Sequence, residues 1–380
     1  IAALAVSNAR LTAELARLNR EFDTFYGNRP RSEYVNAMLR ALNSHLSQLA
    51  DNLSKADTDG KKRFYAEQAA VANAGTADAL ADLNGMLEQL KSGHQLPETW
   101  TYRTSPITLV DGWPVATAVS DRGKTEKRPI VCAGFGAFAD IDRDIARFQH
   151  IAANTVQVEI GPLWLFPREG KTEEFEPDFK FFDTRFQPLL KKAYENNVAV
   201  NLLISPHYCP PWLLEKYPDM KSVAGFLKYE VTHPKAAEML KVYVPAIINR
   251  IKSSPYAGAI HSICISNEPY YTNCSPNNPY SVAAFAESMT KKYGPASAFN
   301  AAAKRNFASY EAVAAGAKQD KAAQFEFYSF AKQTFADWHR MLADEVHKVW
   351  PEMPVHAKII VGHATYTLDS GVDPELMAEF

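Results

Sequence analysis

From Pro129 onward the chain alternates short apolar runs with amphipathic helical stretches, and this alternation constrains the fold more than any other feature. Pro129 to Phe138, Thr155 to Ile160, Val198 to Ser205, Ala259 to Ser266 and Val355 to Ile360 read as strands. Asp140 can cap a first helix whose face is Ile141, Ile145, Phe148 and Ile151. A second helix is expected near Arg185 to Asn196. His233-Pro234 opens a longer one, with Leu240, Val244, Ile247 and Ile251 on its buried face. Further helices fill much of residues 281 to 350. Strand–helix units in series build a parallel sheet. The expected fold class is therefore α/β, a (β/α)8 TIM barrel with about its first five units present. Asp373 to Phe380 starts one more helix, and a closed barrel would need three more strands. An open doubly wound sheet is the competing architecture. No GxGxxG follows any strand, which counts against its dinucleotide-binding form.

The residues before the barrel read differently. Residues 1 to 96 carry helical periodicity in three runs, marked by Leu4, Leu11, Leu15 and Leu18, by Val35 to Leu49, and by Phe64 to Leu90. Breaks at Gly27 to Pro30 and Asp57 to Gly60 suggest a hairpin or three-helix bundle. We expect an accessory region that braces the barrel. A partner or dimer surface is the alternative role, so homo-oligomer formation stays open. Residues 97 to 128 read as a connector with short strands at Trp100 to Arg103, Ile107 to Val110 and Val115 to Val119. The barrel part then spans 129 to 380. The first residue, Ile1, and the lack of a basic leader suggest a fragment. The compartment is not legible, with secretion or a periplasmic location left open.

Composition removes some classes of function. Hydrophobic residues make up 47% and charged residues 22%, with a net charge of -2, so no basic field invites nucleic acid. No run is apolar enough for a membrane span. The cysteines, Cys132, Cys209, Cys264 and Cys274, form no CxxC pair, so no metal site is expected. Cys132 and Cys264 read as buried thiols. A disulfide between Cys209 and Cys274 is left open.

The sharpest chemical signal is Ser266-Asn267-Glu268-Pro269, directly after the apolar Ile263-Cys264-Ile265. A buried parallel strand carries such residues to the mouth of a barrel, where sites are built. Cleaving a glycosidic bond needs a protonated carboxylic acid beside the leaving oxygen. Partial burial of Glu268 under aromatics would favour that form. Asn267 could donate to a substrate hydroxyl such as the sugar 2-OH.

At this point the order of motifs becomes informative. Asn154-Thr155-Val156, Trp164, Pro167, Glu169, Gly170 and Phe182-Asp183 are followed by Leu189-Leu190-Lys191-Lys192-Ala193, Pro210-Pro211-Trp212-Leu213 and Tyr217-Pro218-Asp219-Met220. This run resembles the catalytic barrel of glycoside hydrolase family 42, the β-galactosidase-like group, over roughly residues 130 to 360. The resemblance implies a retaining double displacement on a β-linked galactoside or related oligo- or polysaccharide, without a cofactor. Glu268 would match the acid/base and Asn267 its substrate-binding neighbour. The family's nucleophile, a Glu on the seventh strand, has no match here, so the chain alone is expected to be inactive. In the complete enzyme a retaining mechanism implies carboxyl groups about 5–5.5 Å apart. A non-catalytic carbohydrate-binding protein on a degenerate barrel is the other reading.

There are departures from the family's pattern. Gln157 stands where the family usually has Arg, and the family's metal-binding cysteine cluster is not evident. Ser205-Pro206-His207-Tyr208-Cys209 and the pair Tyr270-Tyr271 are unusual, and they point away from strict galactose specificity. His207, Trp164, Trp212, Tyr270 and Tyr271 are the further substrate-binding candidates. For His207 and the two tryptophans, packing is an equal alternative. Glu159 reads as a supporting hydrogen bonder. His356 and Lys358, two residues apart on one strand, should share a face. An ion pair is the expected role of Lys358, and His363 is a minor site candidate.

Overall fold

The structure is a computed structural model. It describes residues 1–380 except 30, 97, 137–143, 152, 168–172, 223–226, 272–275, 361–369 and 380. Its centre is a parallel sheet in the order β5-β6-β7-β8-β9: Gly134–Gly136, Thr155–Glu159, Ala199–Leu203, Ile260–Asn267 and Val355–Lys358. Neighbours in sequence are neighbours in space, as in a curving wall of β/α units. Strand β7, Ala-Val-Asn-Leu-Leu, is buried at every position because it lies mid-sheet with cover on both faces. In β6 the burial alternates. Val156 and Val158 point into the helical layer, while Thr155, Gln157 and Glu159 take the opposite face.

The helix Pro234–Lys252 and the helix Lys321–Val349 pack on each other outside the wall. Leu240, Val244, Ile247 and Ile251 all lie at or below 1% exposure, because one stripe of the helix faces the sheet. The His233 ring caps the start of this helix, with its Nδ1 accepting from the Lys235 amide at 3.1 Å.

The first barrel strand is shorter and later than the sequence suggests. Pro129 closes β4, Thr125–Pro129, the last strand of a separate antiparallel sheet. That sheet has β1 (Trp100–Tyr102) and β2 (Thr108–Val110) side by side on one edge of β3 (Trp113–Ser120), with β4 on the other edge. Tyr102, Ile107, Ala116 and Ile130 form a small core with Ala199, the first residue of β7. Thr104 adds hydrogen bonds to the Asn197 carboxamide and the Tyr194 carbonyl. The antiparallel sheet therefore closes the end of the wall where the strands begin, opposite the end where a barrel builds its site.

Three helices precede it: α1 (Ala2–Tyr26), α2 (Glu33–Ser54) and α3 (Asp59–Lys91). Leu15, Leu18, Phe22, Val35, Leu39, Leu46, Leu80, Leu83 and Leu87 share one core. α2 also lies against the 3-10 turn Ile145–Ile151 that follows the first barrel strand. Phe64 does not join this core and is 55% exposed. Near it the buried stripe of α3 runs through Ala69, Asn73 and Thr76 instead. Ile145 and Phe148 are buried as expected, whereas Asp140 and Ile141 lie outside the described residues. Among the described residues no helix is long and apolar enough to cross a membrane.

Two cysteine expectations need correction. Cys132 is exposed, because it precedes the edge strand β5 and lines the open inner face of the wall. Cys209 is a free buried thiol, and burial pushes it up to about 12. Its suggested partner Cys274 lies outside the described residues.

Candidate active site

The strand ends gather the chemistry. Amide-to-carbonyl bonds run from Ile160 to Leu203 (2.9 Å), from Ile204 to Cys264 (3.0 Å) and from Glu268 to Lys358 (2.6 Å). They hold the C-terminal ends of β6 to β9 in one rim. Two rim residues have positive φ without being glycine, Ser205 at 37° and Glu268 at 51°. Such backbone is costly for a residue with a Cβ and persists only when the surroundings enforce it, as they often do at functional sites.

An irregularity in β8 decides which way the rim residues face. Cys264 pairs with His356, but the register then shifts, so Ser266 pairs with Ala357 and Asn267 with Lys358. His356 and Lys358 share one face and line the inner cavity, as their spacing predicts. The shift turns Ser266 out towards the helical layer and brings Asn267 in beside Lys358. Without it the alternation would carry Asn267 out of the wall. The Asn267 Oδ1 is buried with no hydrogen-bond partner among the described residues. A buried acceptor of this kind calls for a partner.

Glu268 itself is about half open, at 48% side-chain exposure, with the Lys358 ammonium 4.0 Å away. Among the described residues, the aromatic cover expected from the sequence does not close over it.

The inner cavity, about 530 Å³, carries a polar ladder. Gln157 donates to the Asn201 Oδ1 at 2.7 Å, and Asn201 donates to the Ser262 hydroxyl at 2.7 Å. The Asn201 carboxamide also lies 2.5 Å from His356 Nε2. Gln157, the departure from the family's usual Arg, thus belongs to a neutral network.

The other candidates fall into distinct places. His207 follows β7, and its ring lies 4.2 Å from that of Tyr208. Burial pushes its pKa down to about 4. Tyr208 meets the edge of Trp164 at 5.3 Å, and Trp164 stacks on Phe181 at 5.1 Å, so one of its faces is already covered. Trp212 donates its indole N–H to the Phe166 carbonyl at 2.9 Å and leans on Phe175. Tyr270 is half-buried against the core. Tyr271 is 1% exposed, donates its hydroxyl to the buried Glu230 carboxylate and stacks on Phe335 at 5.3 Å. The geometry of Trp212 and Tyr271 is that of packing residues behind the rim. Glu159 accepts from the Ser205 hydroxyl at 2.9 Å and also holds Tyr208. His363, Glu169 and Gly170 lie outside the described residues.

Sequence reasoning missed two supports. Glu174 takes bonds from Lys216, Lys235 (2.7 Å) and Tyr217 (2.8 Å), tying the segment after β6 to the segment after β7. Burial alone would raise its carboxyl, but these donors win and hold it at about 2. The second is His339, fully buried behind Ser266.

One buried and two half-buried histidines give the fold a pH dependence. Burial lowers His207, His261 and His339 each from 6.5 to about 4. The unfolded chain takes up protons near 6.5 that the native chain refuses until about 4. Stability should therefore be complete above pH 6.5 and fall as the pH drops towards 4. Urea unfolding at a series of pH values between 7.5 and 4.5 checks this; a flat or rising midpoint on acidification would contradict it.

A parallel β/α wall of five strands, with Asn-Glu at the rim of the fourth, has the frame of a β/α barrel, here about five units of it. The chain belongs to glycoside hydrolase family 42, since residues 137–372 match the family profile described as beta-galactosidase. Among solved structures, the apo exo-carrageenase of this family from Bacteroides ovatus is similar, with a TM-score of 0.67 at 16% identity, covering 98% of this chain and 51% of that one. A beta-galactosidase from the psychrophilic Marinomonas ef1 aligns with a TM-score of 0.50 at 16% identity, over 66% of this chain and 39% of that one. One from the Antarctic haloarchaeon Halorubrum lacusprofundi gives 0.50 at 13%, over 64% and 38%. The chain thus spans about half or less of the length of these structures. A search of curated proteins by sequence gives no match.

Proposed function

We propose that this chain supplies the acid/base side of a retaining glycoside hydrolase acting on β-linked galactosides or related oligo- and polysaccharides. The observation that carries the reading is the placement of Asn267-Glu268. The register shift in β8 turns Asn267 inward, and the left-handed turn at Glu268 lifts its carboxyl onto the rim.

On this reading Glu268 donates its proton to the leaving oxygen as the C1–O bond breaks. A second carboxylate, which none of the described strands is assigned to supply, bonds to C1. Glu268, now ionised, takes a proton from water as the water attacks C1; the bond from C1 to the second carboxylate breaks, that carboxylate is regenerated, and the sugar leaves with its configuration retained. The Asn267 carboxamide would donate an N–H to a substrate hydroxyl beside the acid. His207, Tyr270 and the exposed parts of Trp164 are the remaining candidates for sugar contacts, and no cofactor enters the scheme. The similar structures are described as beta-galactosidases and as an exo-carrageenase, so both kinds of substrate belong in a first screen.

The test is the anomeric form of the first product, followed by NMR during hydrolysis by the protein that carries this chain with its remaining strands. Retention of the β configuration is expected. An α-anomer formed first would exclude the double displacement.

A further inference from the structure

The segment that bears Glu268 is fastened from behind by a hydrogen-bond relay that no substrate touches. The Ser266 side chain, turned outward by the register shift, lies 2.8 Å from His339 Nε2. The other ring nitrogen, Nδ1, lies 2.8 Å from the Phe335 carbonyl. A carbonyl only accepts, so Nδ1 carries the hydrogen and donates to it. Nε2 is then the acceptor, and the Ser266 hydroxyl must donate. Ser266 and His339 are both 0% exposed. Phe335 and Trp338 meet the imidazole edge-on at 4.6 and 4.8 Å and fix the ring plane. Burial lowers the His339 pKa to about 4, so the ring stays neutral and the relay keeps one polarity at neutral pH.

The consequence lies two residues on. If the Ser266 side chain is held outward, the strand must take up its extra residue before Asn267, and only that phase turns Asn267 inward. It also leaves Glu268 in the left-handed region at φ 51°, a strained conformation that needs an anchor on its N-terminal side. On its C-terminal side the anchors are the Glu268 amide on the Lys358 carbonyl (2.6 Å) and the Tyr271 amide on the Ser370 carbonyl (2.6 Å).

We infer that His339 is a positioning residue for Glu268, acting through the Ser266 hydroxyl to set the phase of β8 and so the place of the acid on the rim. The inference rests on the acid/base reading of Glu268 above. It adds a residue that lies 73 positions beyond Ser266 in sequence and never meets the substrate.

The experiment uses the protein that carries this chain with its remaining strands, and aryl β-glycosides of graded leaving-group ability. Ser266→Ala should lower kcat about ten- to a hundredfold on poor leaving groups, the cost of displacing a catalytic group by a fraction of an ångström to one ångström. KM should hardly change. The loss should shrink with dinitrophenyl glycosides, which need little proton help. His339→Phe should give the same pattern, and the double variant should be no worse than the worse single, because both remove one bond. Ser266→Cys, which keeps the packing and restores a weaker donor, should recover part of the rate. A loss equal across leaving groups, or additive losses in the double variant, would overturn the positioning role. The two readings fail separately. If Glu268→Gln shows no leaving-group dependence, the acid/base assignment falls. If it does and Ser266→Ala matches the parent, only the role of His339 falls.

Discussion

Replacing Glu268 with glutamine should slow hydrolysis of unactivated β-glycosides by a factor on the order of 10²–10⁴ in the protein carrying this chain and its remaining strands. Glutamine keeps the size and the hydrogen-bonding reach of the side chain but has no proton to give. The loss should therefore depend on the leaving group. A phenolate stabilised by nitro groups departs without protonation, so the first displacement proceeds almost normally and the second, which needs a base to activate water, becomes limiting. A burst of phenol followed by a slow steady rate is the kinetic sign. Steady-state and rapid-mixing assays across a leaving-group series measure both effects. Unchanged activity on unactivated substrates would remove Glu268 from the reaction.

The second large effect concerns stability. Phe335 lies 0% exposed in the helix Lys321–Val349, stacked on Tyr271 at 5.3 Å and on Trp338 at 5.3 Å, with the His339 ring edge-on at 4.6 Å. Phe335→Ala empties a site bounded by three rings, of which Tyr271 and His339 cannot collapse inward without giving up their own hydrogen bonds. A cost of about 3–5 kcal/mol is expected, the upper range for a buried aromatic. Urea denaturation of this chain measures it; a cost below about 1 kcal/mol would show that the site repacks freely. Because Tyr271 follows Glu268 by three residues, the acid-bearing turn should loosen along with the core.

The parts of the fold that the sequence revealed are those whose pattern is set locally. β7 is buried on both faces, so Val200, Leu202, Leu203 and Ile204 form an apolar run that fits little else. The helix from Pro234 declares itself by a clear buried stripe and a capping histidine. The first barrel strand lies later than its hydropathy suggests, for an equally local reason. Val131 and Cys132 are apolar, but they lie exposed before Gly134, where β5 starts at the open edge of the wall. Gly134 admits no side chain, since a Cβ there would fall 1.6 Å from the Thr155 carbonyl oxygen, and this close approach leaves no trace in hydropathy.

The site was legible only as far as one tripeptide at the end of one strand. Asn267-Glu268 could be placed at the rim because a buried strand has one exit. The register shift that turns Asn267 inward could not be read, since Ile263-Cys264-Ile265-Ser266 looks like a regular run. Its cause, the bond from Ser266 to His339, joins residues 73 apart, and a lone histidine in a helix gives no hint of such a partner. Tyr271 illustrates the opposite error. Adjacent tyrosines after a catalytic motif suggest sugar stacking, yet the second fills the core and donates to buried Glu230.

Chemical rescue of a Glu268→Ala variant by azide tests the central claim most directly. With an activated aryl β-galactoside, azide should attack the glycosyl intermediate without needing a proton removed, raise the steady-state rate and yield the β-glycosyl azide. No acceleration together with no azide adduct, or an adduct of α configuration, would contradict the assignment of the Glu268 carboxyl as the acid/base of a retaining hydrolase.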